Sequence, residues 1–260
     1  MRLNYREYGT GAPVIILHGL FGSLENWHPV ARQLAADFRV LTVDQRNHGR
    51  SFHSDIFNYD VMAEDLAQFM QQQNLAQAAL IGHSMGGKTA MRFAFAYPQR
   101  VSRLIIVDIT PKAYPPLNGE IFEALRALDV RRLASLKQAD DHLQPVIPDT
   151  ALRLFLLKNL KRSKEGGYKW NVNLEAIRKS HPQLTAKISG GPFPKPCLFI
   201  RGEHSDYIRE ADWPEVRQYF PAAELATIPA AGHWVHVEAK DDFVATVTRY
   251  LRKRRLPESL

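Results

Sequence analysis

The chain has 260 residues, 45% of them hydrophobic and 23% charged, with a formal net charge of +7, a globular composition that excludes wholesale disorder. No apolar run approaches the roughly 18 residues of a membrane span, and the start, Met1-Arg2-Leu3-Asn4-Tyr5-Arg6-Glu7, has no apolar stretch of the secretory-signal kind. The single cysteine, Cys197, excludes an internal disulfide and reads as core filler in the apolar run Cys197-Leu198-Phe199-Ile200. The expectation is a cytoplasmic protein of one domain with an insertion, or of two domains.

Apolar runs and helical stretches alternate along the chain. Residues 13–17 read as a strand, followed by a Gly-rich loop and a helix-like stretch over 29–35. A second run covers 39–43, and residues 61–70 carry apolar side chains at i, i+4 spacing, which predicts a helix. The short run Ala78-Ala79-Leu80-Ile81 precedes a helical composition over 88–96 that stops at Pro98, and residues 104–107 are again strand-like. Residues 198–200 and 225–228 resume the pattern, and a closing helix begins at 243–247. The basic tail Arg249-Tyr250-Leu251-Arg252-Lys253-Arg254-Arg255 suits the negative end of that helix. Continuously apolar strands alternating with helices predict an α/β fold with a mostly parallel sheet covered on both faces. Sites in such sheets lie at the carboxyl ends of the strands.

Residues 110–195 break the alternation. Helical candidates fall near 121–128, 151–160 and 174–180, separated by Pro115-Pro116, Pro145, Pro148 and Gly166-Gly167. A segment of this length is too long for a structureless loop in a compact domain. It is expected to be a helical lid, with 1–109 and 196–260 forming the core. It also holds 15 Lys/Arg against 8 Asp/Glu, so the whole net positive charge resides in it. A solvated helical face is one reading of that surplus; the other is a positive field that gathers anionic substrates such as phosphate-bearing thioesters. Nucleic acid is not expected, because no recognition motif or aromatic platform accompanies the charge.

The most specific motif is Gly82-His83-Ser84-Met85-Gly86-Gly87, set between a predicted strand and a predicted helix. A tight strand-to-helix corner needs small residues two before and two after the serine, which Gly82 and Gly86 provide. The serine oxygen then stands over the positive end of the following helix. With His18-Gly19-Leu20-Phe21-Gly22-Ser23, Asp44-Gln45-Arg46-Asn47-His48-Gly49-Arg50-Ser51, Asp108-Ile109-Thr110-Pro111 and Gly232-His233-Trp234-Val235-His236 in this order, the chain resembles the α/β-hydrolase superfamily over nearly its whole length. Within it, the chain is similar to the small YbfF-like bacterial esterases. The resemblance implies a Ser-His-Asp hydrolase.

On that basis Ser84 is the expected nucleophile and His233 the base, in the chain order Ser…Asp…His. The acid is open between two slots. The usual position after the next-to-last strand holds Ser205, with Asp206 one residue late and Glu203 nearby; the slot after the preceding strand holds Asp108. Asp108 matches the YbfF-like pattern and is preferred, with Asp206 the second choice and Glu203 the third. The resemblance places the oxyanion donors on the backbone N–H groups of Leu20 and Met85. Phe21, Trp27, Trp170, Tyr207 and Trp234 are expected at the mouth of an apolar acyl site, Phe21, Trp170, Tyr207 and Trp234 as its substrate-binding members. His83 is expected to point away from the site, His236 to line or pack, and His18 and His48 to hold loops. Lys88 is expected to pair with a carboxylate.

No HExxH motif or Cys pair, Gly-x-Gly-x-x-Gly turn or P-loop is visible, so no metal or cofactor is expected. The expected partner is a small-molecule ester or thioester of short to medium acyl length, hydrolysed through an acyl-enzyme. A carbon–carbon bond hydrolase, a cofactor-free perhydrolase or a ligand receptor with residual hydrolysis are the rivals.

Overall fold

In chain order the first elements are β1 (Tyr5–Tyr8), β2 (Ala12–Leu17), α1 (His28–Leu34), β3 (Phe38–Val43), α2 (Tyr59–Gln72), β4 (Ala78–His83), α3 (Met85–Ala96) and β5 (Val101–Val107). Next come α4 (Gly119–Ala127), α5 (Leu136–Leu143), α6 (Thr150–Leu157), β6 (Leu160–Arg162), β7 (Tyr168–Trp170) and α7 (Leu174–Thr185). The chain closes with β8 (Cys197–Gly202), α8 (Trp213–Tyr219), β9 (Ala223–Ile228), α9 (Val235–Glu238) and α10 (Lys240–Arg252). This computed structural model describes residues 1–253, so Arg254 and Arg255 of the basic tail lie outside the described residues.

The main sheet has seven strands in the order β1-β3-β2-β4-β5-β8-β9. Only β1 runs antiparallel to its neighbour; every other pairing is parallel. The continuous apolar runs of the inner strands follow from burial on both faces, with side chains alternating between them. Ile15, Leu17, Leu80, Leu104 and Ile106 face one layer, which includes Met62, Leu66 and Phe69 of α2 and Ala90 and Phe93 of α3. Val14, Ile16, Ile81, Ile105 and Val107 face the other, against Val30 and Leu34 of α1 and Phe243 and Val247 of α10. The register pairs Leu17 with Gly82, His83 with Val107, and Val107 with Ile200. The residues that follow these strands, His18, Ser84 and Asp108, therefore emerge side by side at one edge.

Strands β5 and β8 are neighbours in the sheet, so everything between them is inserted at that edge. The insertion is not purely helical. Beside its helices it carries a hairpin in which Lys161 opposes Lys169. Gly166 and Gly167 are not a separator between helices but the turn of this hairpin, with φ of 94° and 61°. The flanking strands carry Lys161, Arg162 and Lys169, so no apolar alternation betrays them. Helix α5 also lacked a sequence signal: it buries only Ala139 and Leu143, and its start is set by the Ser135 side chain accepting from the Gln138 N–H. Phe122, Leu125, Leu143, Leu156 and Ile177 of the insertion belong to the same apolar cluster as α2 and α3. The segment thus has no core of its own.

The strand-to-helix corner between β4 and α3 has no spare volume. A methyl group at Gly86 would lie 2.3 Å from the Leu17 carbonyl oxygen and 2.6 Å from that of His18, and neither backbone atom can retreat from the sheet. Gly86→Ala is expected to cost roughly 1–3 kcal/mol of stability through overpacking, read as a lower midpoint of thermal unfolding; an unchanged midpoint would show that the corner has room.

Candidate active site

Ser84 sits at the corner between β4 and α3 with φ 52° and ψ −117°, a conformation that non-glycine residues rarely adopt. Two backbone hydrogen bonds hold it there: the Ser84 N–H donates to the Val107 carbonyl at 3.0 Å, and the Lys88 N–H donates to the Ser84 carbonyl at 3.1 Å. Such strain persists only where the surroundings over-determine it.

Asp108 follows β5 and is fully buried. Its backbone also has positive φ, 51°, anchored by its N–H donating to the Ile200 carbonyl at 2.8 Å. Its carboxylate accepts from the Gly202 N–H at 3.2 Å through Oδ1. Oδ2 lies 2.7 Å from His233 Nδ1 and also accepts from the Ser205 hydroxyl. The Asp206 side chain does not join this group: it is 88% exposed and pairs with Arg209. Glu203 accepts from the Ala230 N–H at 2.9 Å and so braces the loop that leads to His233. Further along that loop, Glu238 takes the N–H groups of Gly232 and Trp234.

The His233 ring is sandwiched. The Tyr207 ring stacks on it with centroids 3.8 Å apart and planes at 19°. The His83 ring lies 4.7 Å away. His83 therefore does not point away from the site; it packs beneath it, and its Nε2–H donates to the His233 carbonyl at 2.9 Å. Gly19 permits this approach, because a methyl there would meet the His83 ring at 2.9 Å.

The loop after β2 is pinned from both ends by neutral imidazoles. His18 Nε2 accepts from the Gln45 N–H at 3.0 Å, which leaves its Nδ1–H to donate to the Gly19 carbonyl at 2.8 Å. His48 Nε2 accepts from the Phe21 N–H at 3.2 Å, with its Nδ1–H on the Arg46 carbonyl at 2.9 Å. The Gly22 N–H is taken by the Gly19 carbonyl. Among the described residues the N–H groups of Leu20 and Met85 have no intramolecular acceptor, so both are available to a ligand beside Ser84.

Leu20, Phe21, Ser84, Met85, Tyr207, His233 and Trp234 line one cavity of about 390 Å³. Trp170 does not. It sits on the hairpin opposite Leu160 and packs against the core, because that hairpin, unrecognised in the sequence, carries it away from the mouth. Trp27 is also absent from the cavity: it is 1% exposed and stacks on His236 with ring centroids 4.0 Å apart. Among the described residues Lys88 has no carboxylate partner; its ammonium donates to the carbonyls of Lys112, Thr185 and Ala186, which brings the two ends of the insertion onto α3.

The opposite wall of the cavity went unread in the sequence. Leu152, Phe155 and Leu156 of α6 and His181, Leu184 and Thr185 of α7 supply much of it. Their i, i+3, i+4 spacing marked a buried helical face, but nothing local distinguishes a face that covers a cavity from one that covers a core. Among the described residues, no cluster of His, Cys, Asp or Glu is placed to hold a metal ion, and no helix is long and apolar enough to cross a membrane.

Residues 12–240 match the alpha/beta hydrolase fold family. The chain is 37% identical to the sn-1-specific diacylglycerol lipase ABHD11 of Danio rerio, covering 94% of this chain and 80% of the relative. It is 33% identical to esterase YbfF of Escherichia coli, covering 96% of this chain and 99% of that one. Among solved structures, a marine microorganism esterase superposes with a TM-score of 0.91 at 42% identity, over 95% of this chain and 98% of the other.

Burial pushes the imidazoles around the site down, to about 4 for His18 and about 3 for His48 and His236, with His83 also well below its ordinary value. Each must charge when the chain unfolds in mild acid, so the stability it contributes is complete above about pH 6.5 and is lost as pH falls toward the folded value. Urea midpoints measured from about pH 7 down to about 4.5 are expected to fall, each histidine adding about 1.4 kcal/mol per pH unit. His48→Gln should remove about one proton from that slope; a slope unchanged in this variant would refute the neutral assignment.

Proposed function

The chain belongs to the α/β-hydrolase family and is a hydrolase; on that premise we propose that it cleaves carboxylic esters or thioesters of short to medium acyl length through an acyl-enzyme. The observation that carries this reading is the hydrogen bond between His233 and the buried Asp108 carboxylate, placed at the same cavity as the strained Ser84. Asp108 holds Nδ1 of the ring, which leaves Nε2 to take the Ser84 proton as the oxygen attacks the substrate carbonyl. The Asp108 carboxylate stabilises the imidazolium so formed. The Leu20 and Met85 N–H groups donate hydrogen bonds to the developing oxyanion, and as fixed backbone donors they need no reorganisation. Protonated His233 then delivers its proton to the leaving alcohol or thiol. Water, activated by the same imidazole, attacks the acyl-Ser84 carbonyl and releases the acid.

Residues 110–195 act in this reading as the cap that encloses the acyl group. Phe21, Tyr207 and Trp234 meet the substrate from the core side, and the apolar face of α6 meets it from the cap. The cap's surplus of basic residues favours anionic thioesters in the approach to the site.

Ser84→Ala should abolish the pre-steady-state burst and labelling by an organophosphate. Asp108→Asn should lower turnover of p-nitrophenyl butyrate on the order of 10⁴-fold, while Asp206→Asn should leave it near the native value; the reverse pattern would overturn the choice of acid. If the cap steers anions, kcat/KM for an acyl-CoA should fall steeply with added salt while that for a neutral ester stays level. Parallel salt dependences would remove the steering role.

A further inference from the structure

The wall of the cavity beside Ser84 changes character from one part to the next. Around α6 it is apolar, supplied by Leu152, Phe155 and Leu156. Elsewhere Tyr59, Lys88, Tyr114, His181 and Thr185 line it, and these polar side chains are neighbours. Thr185 Oγ1 donates to the His181 carbonyl at 3.0 Å, one turn back along α7. The Lys88 ammonium reaches the Thr185 and Ala186 carbonyls at the end of that helix. It lies 5.1 Å from the centre of the Tyr114 ring and 6.0 Å from that of Tyr59. Lys88 stands four residues after Ser84, one turn, about 5.4 Å, into α3.

Two groups in this region lack a partner of their own kind. Lys88 is 1% exposed, and the three carbonyls that take its protons are dipoles rather than anions. Among the described residues the carboxylate in the cavity lining is that of Asp149, which caps α6 by accepting from the Ala151 and Leu152 N–H groups. A buried charge without a counter-charge is costly, and burial accordingly pulls Lys88 down to about 8. His181 is buried as well, and its Nε2 accepts from the Leu117 N–H at 3.5 Å, which puts the ring proton on Nδ1. Among the described residues that Nδ1–H has no acceptor, although the ring lines the cavity.

A cation in need of an anion and a donor in need of an acceptor are complementary to one chemical group. From their juxtaposition at the cavity that holds Ser84 we propose that the Lys88–His181 region is a subsite for a carboxylate at the far end of the acyl chain, which makes half-esters and half-thioesters of dicarboxylic acids a preferred substrate class. The inference rests on the ester-hydrolase reading above. His181 Nδ1–H donates to the carboxylate, while Lys88, whose own protons are committed, contributes through its charge. At pH 7 burial keeps the imidazole neutral and the ammonium still holds its proton. The methylene groups between the two carboxyl carbons cross the apolar wall of α6. An apolar acyl site without such a pair would reject the anion, because its lost hydration would go uncompensated.

The test compares, at pH 7, the monomethyl esters of succinate, glutarate, adipate and suberate with the methyl esters of the fatty acids of equal carbon number. At the chain length that fits, kcat/KM for the half-ester should at least equal that for its neutral partner, where a uniformly apolar site would disfavour it roughly a hundredfold or more. At that length His181→Phe, which keeps a ring and removes the donor, should lower the ratio about tenfold. Lys88→Met should lower it on the order of thirtyfold. The ratio is internal to each variant, so a general loss of activity through the cap cancels. Half-esters disfavoured at least about a hundredfold at every length, or a ratio unmoved by His181→Phe, overturn the proposal. Calorimetry on Ser84→Ala keeps this failure apart from that of the triad reading, because the variant should bind the preferred half-ester without cleaving it. Absence of binding there overturns the subsite alone; cleavage there overturns the triad reading alone.

Discussion

The carboxylate of Asp108 is the contact on which the site is assembled. It is fully buried and takes hydrogen bonds from the Gly202 backbone, from the Ser205 hydroxyl and from His233. Those donors come from the end of β8, from the turn after it and from the loop after β9. A charge without solvent is costly unless every lone pair finds a partner, and the partners are available only because parallel register brings the ends of β5 and β8 together. The sheet thus positions the carboxylate, and the carboxylate positions the imidazole.

Much of the remaining machinery is backbone, held by side chains that do no chemistry themselves. His18 and His48 grip the loop after β2, and His83 ties the corner at Ser84 to the carbonyl of His233. Burial keeps these rings neutral, and a neutral imidazole offers both a donor and an acceptor at fixed angles. Such residues suit a loop that, among the described residues, leaves the Leu20 N–H without an acceptor. Glycine serves the same end at Gly19 and Gly86, where a methyl would strike His83 or the Leu17 carbonyl.

The insertion closes the site by joining the core rather than by packing as a separate body. Its apolar side chains merge with those of α2 and α3. Lys88 gathers carbonyls from both of its ends, and the Asn159 amide donates to the Phe21 carbonyl at 2.8 Å. These bonds attach the roof of the cavity to the helix and the loop that flank Ser84. The shape of the cavity is therefore coupled to the loop that carries the Leu20 N–H.

What was legible in the sequence was local or periodic. Strand and helix alternation follows from burial on one or two faces, and the Gly82–Ser84–Gly86 spacing follows from the steric demand of a sharp corner; both need only neighbouring residues. The choice among Asp108, Asp206 and Glu203 was not local, because a one-residue shift along a turn rotates a side chain from the site to solvent, as Asp206 shows. The hairpin at 160–170 was hidden because its strands are polar, and with it went the place of Trp170. Trp27 and Lys88 were misread for a related reason: partners such as His236 or a set of backbone carbonyls leave no trace in composition. Sequence by itself determined the elements and the corner at Ser84. Tertiary structure alone decided which carboxylate meets His233 and what walls the cavity, because both depend on distances between segments far apart in the chain.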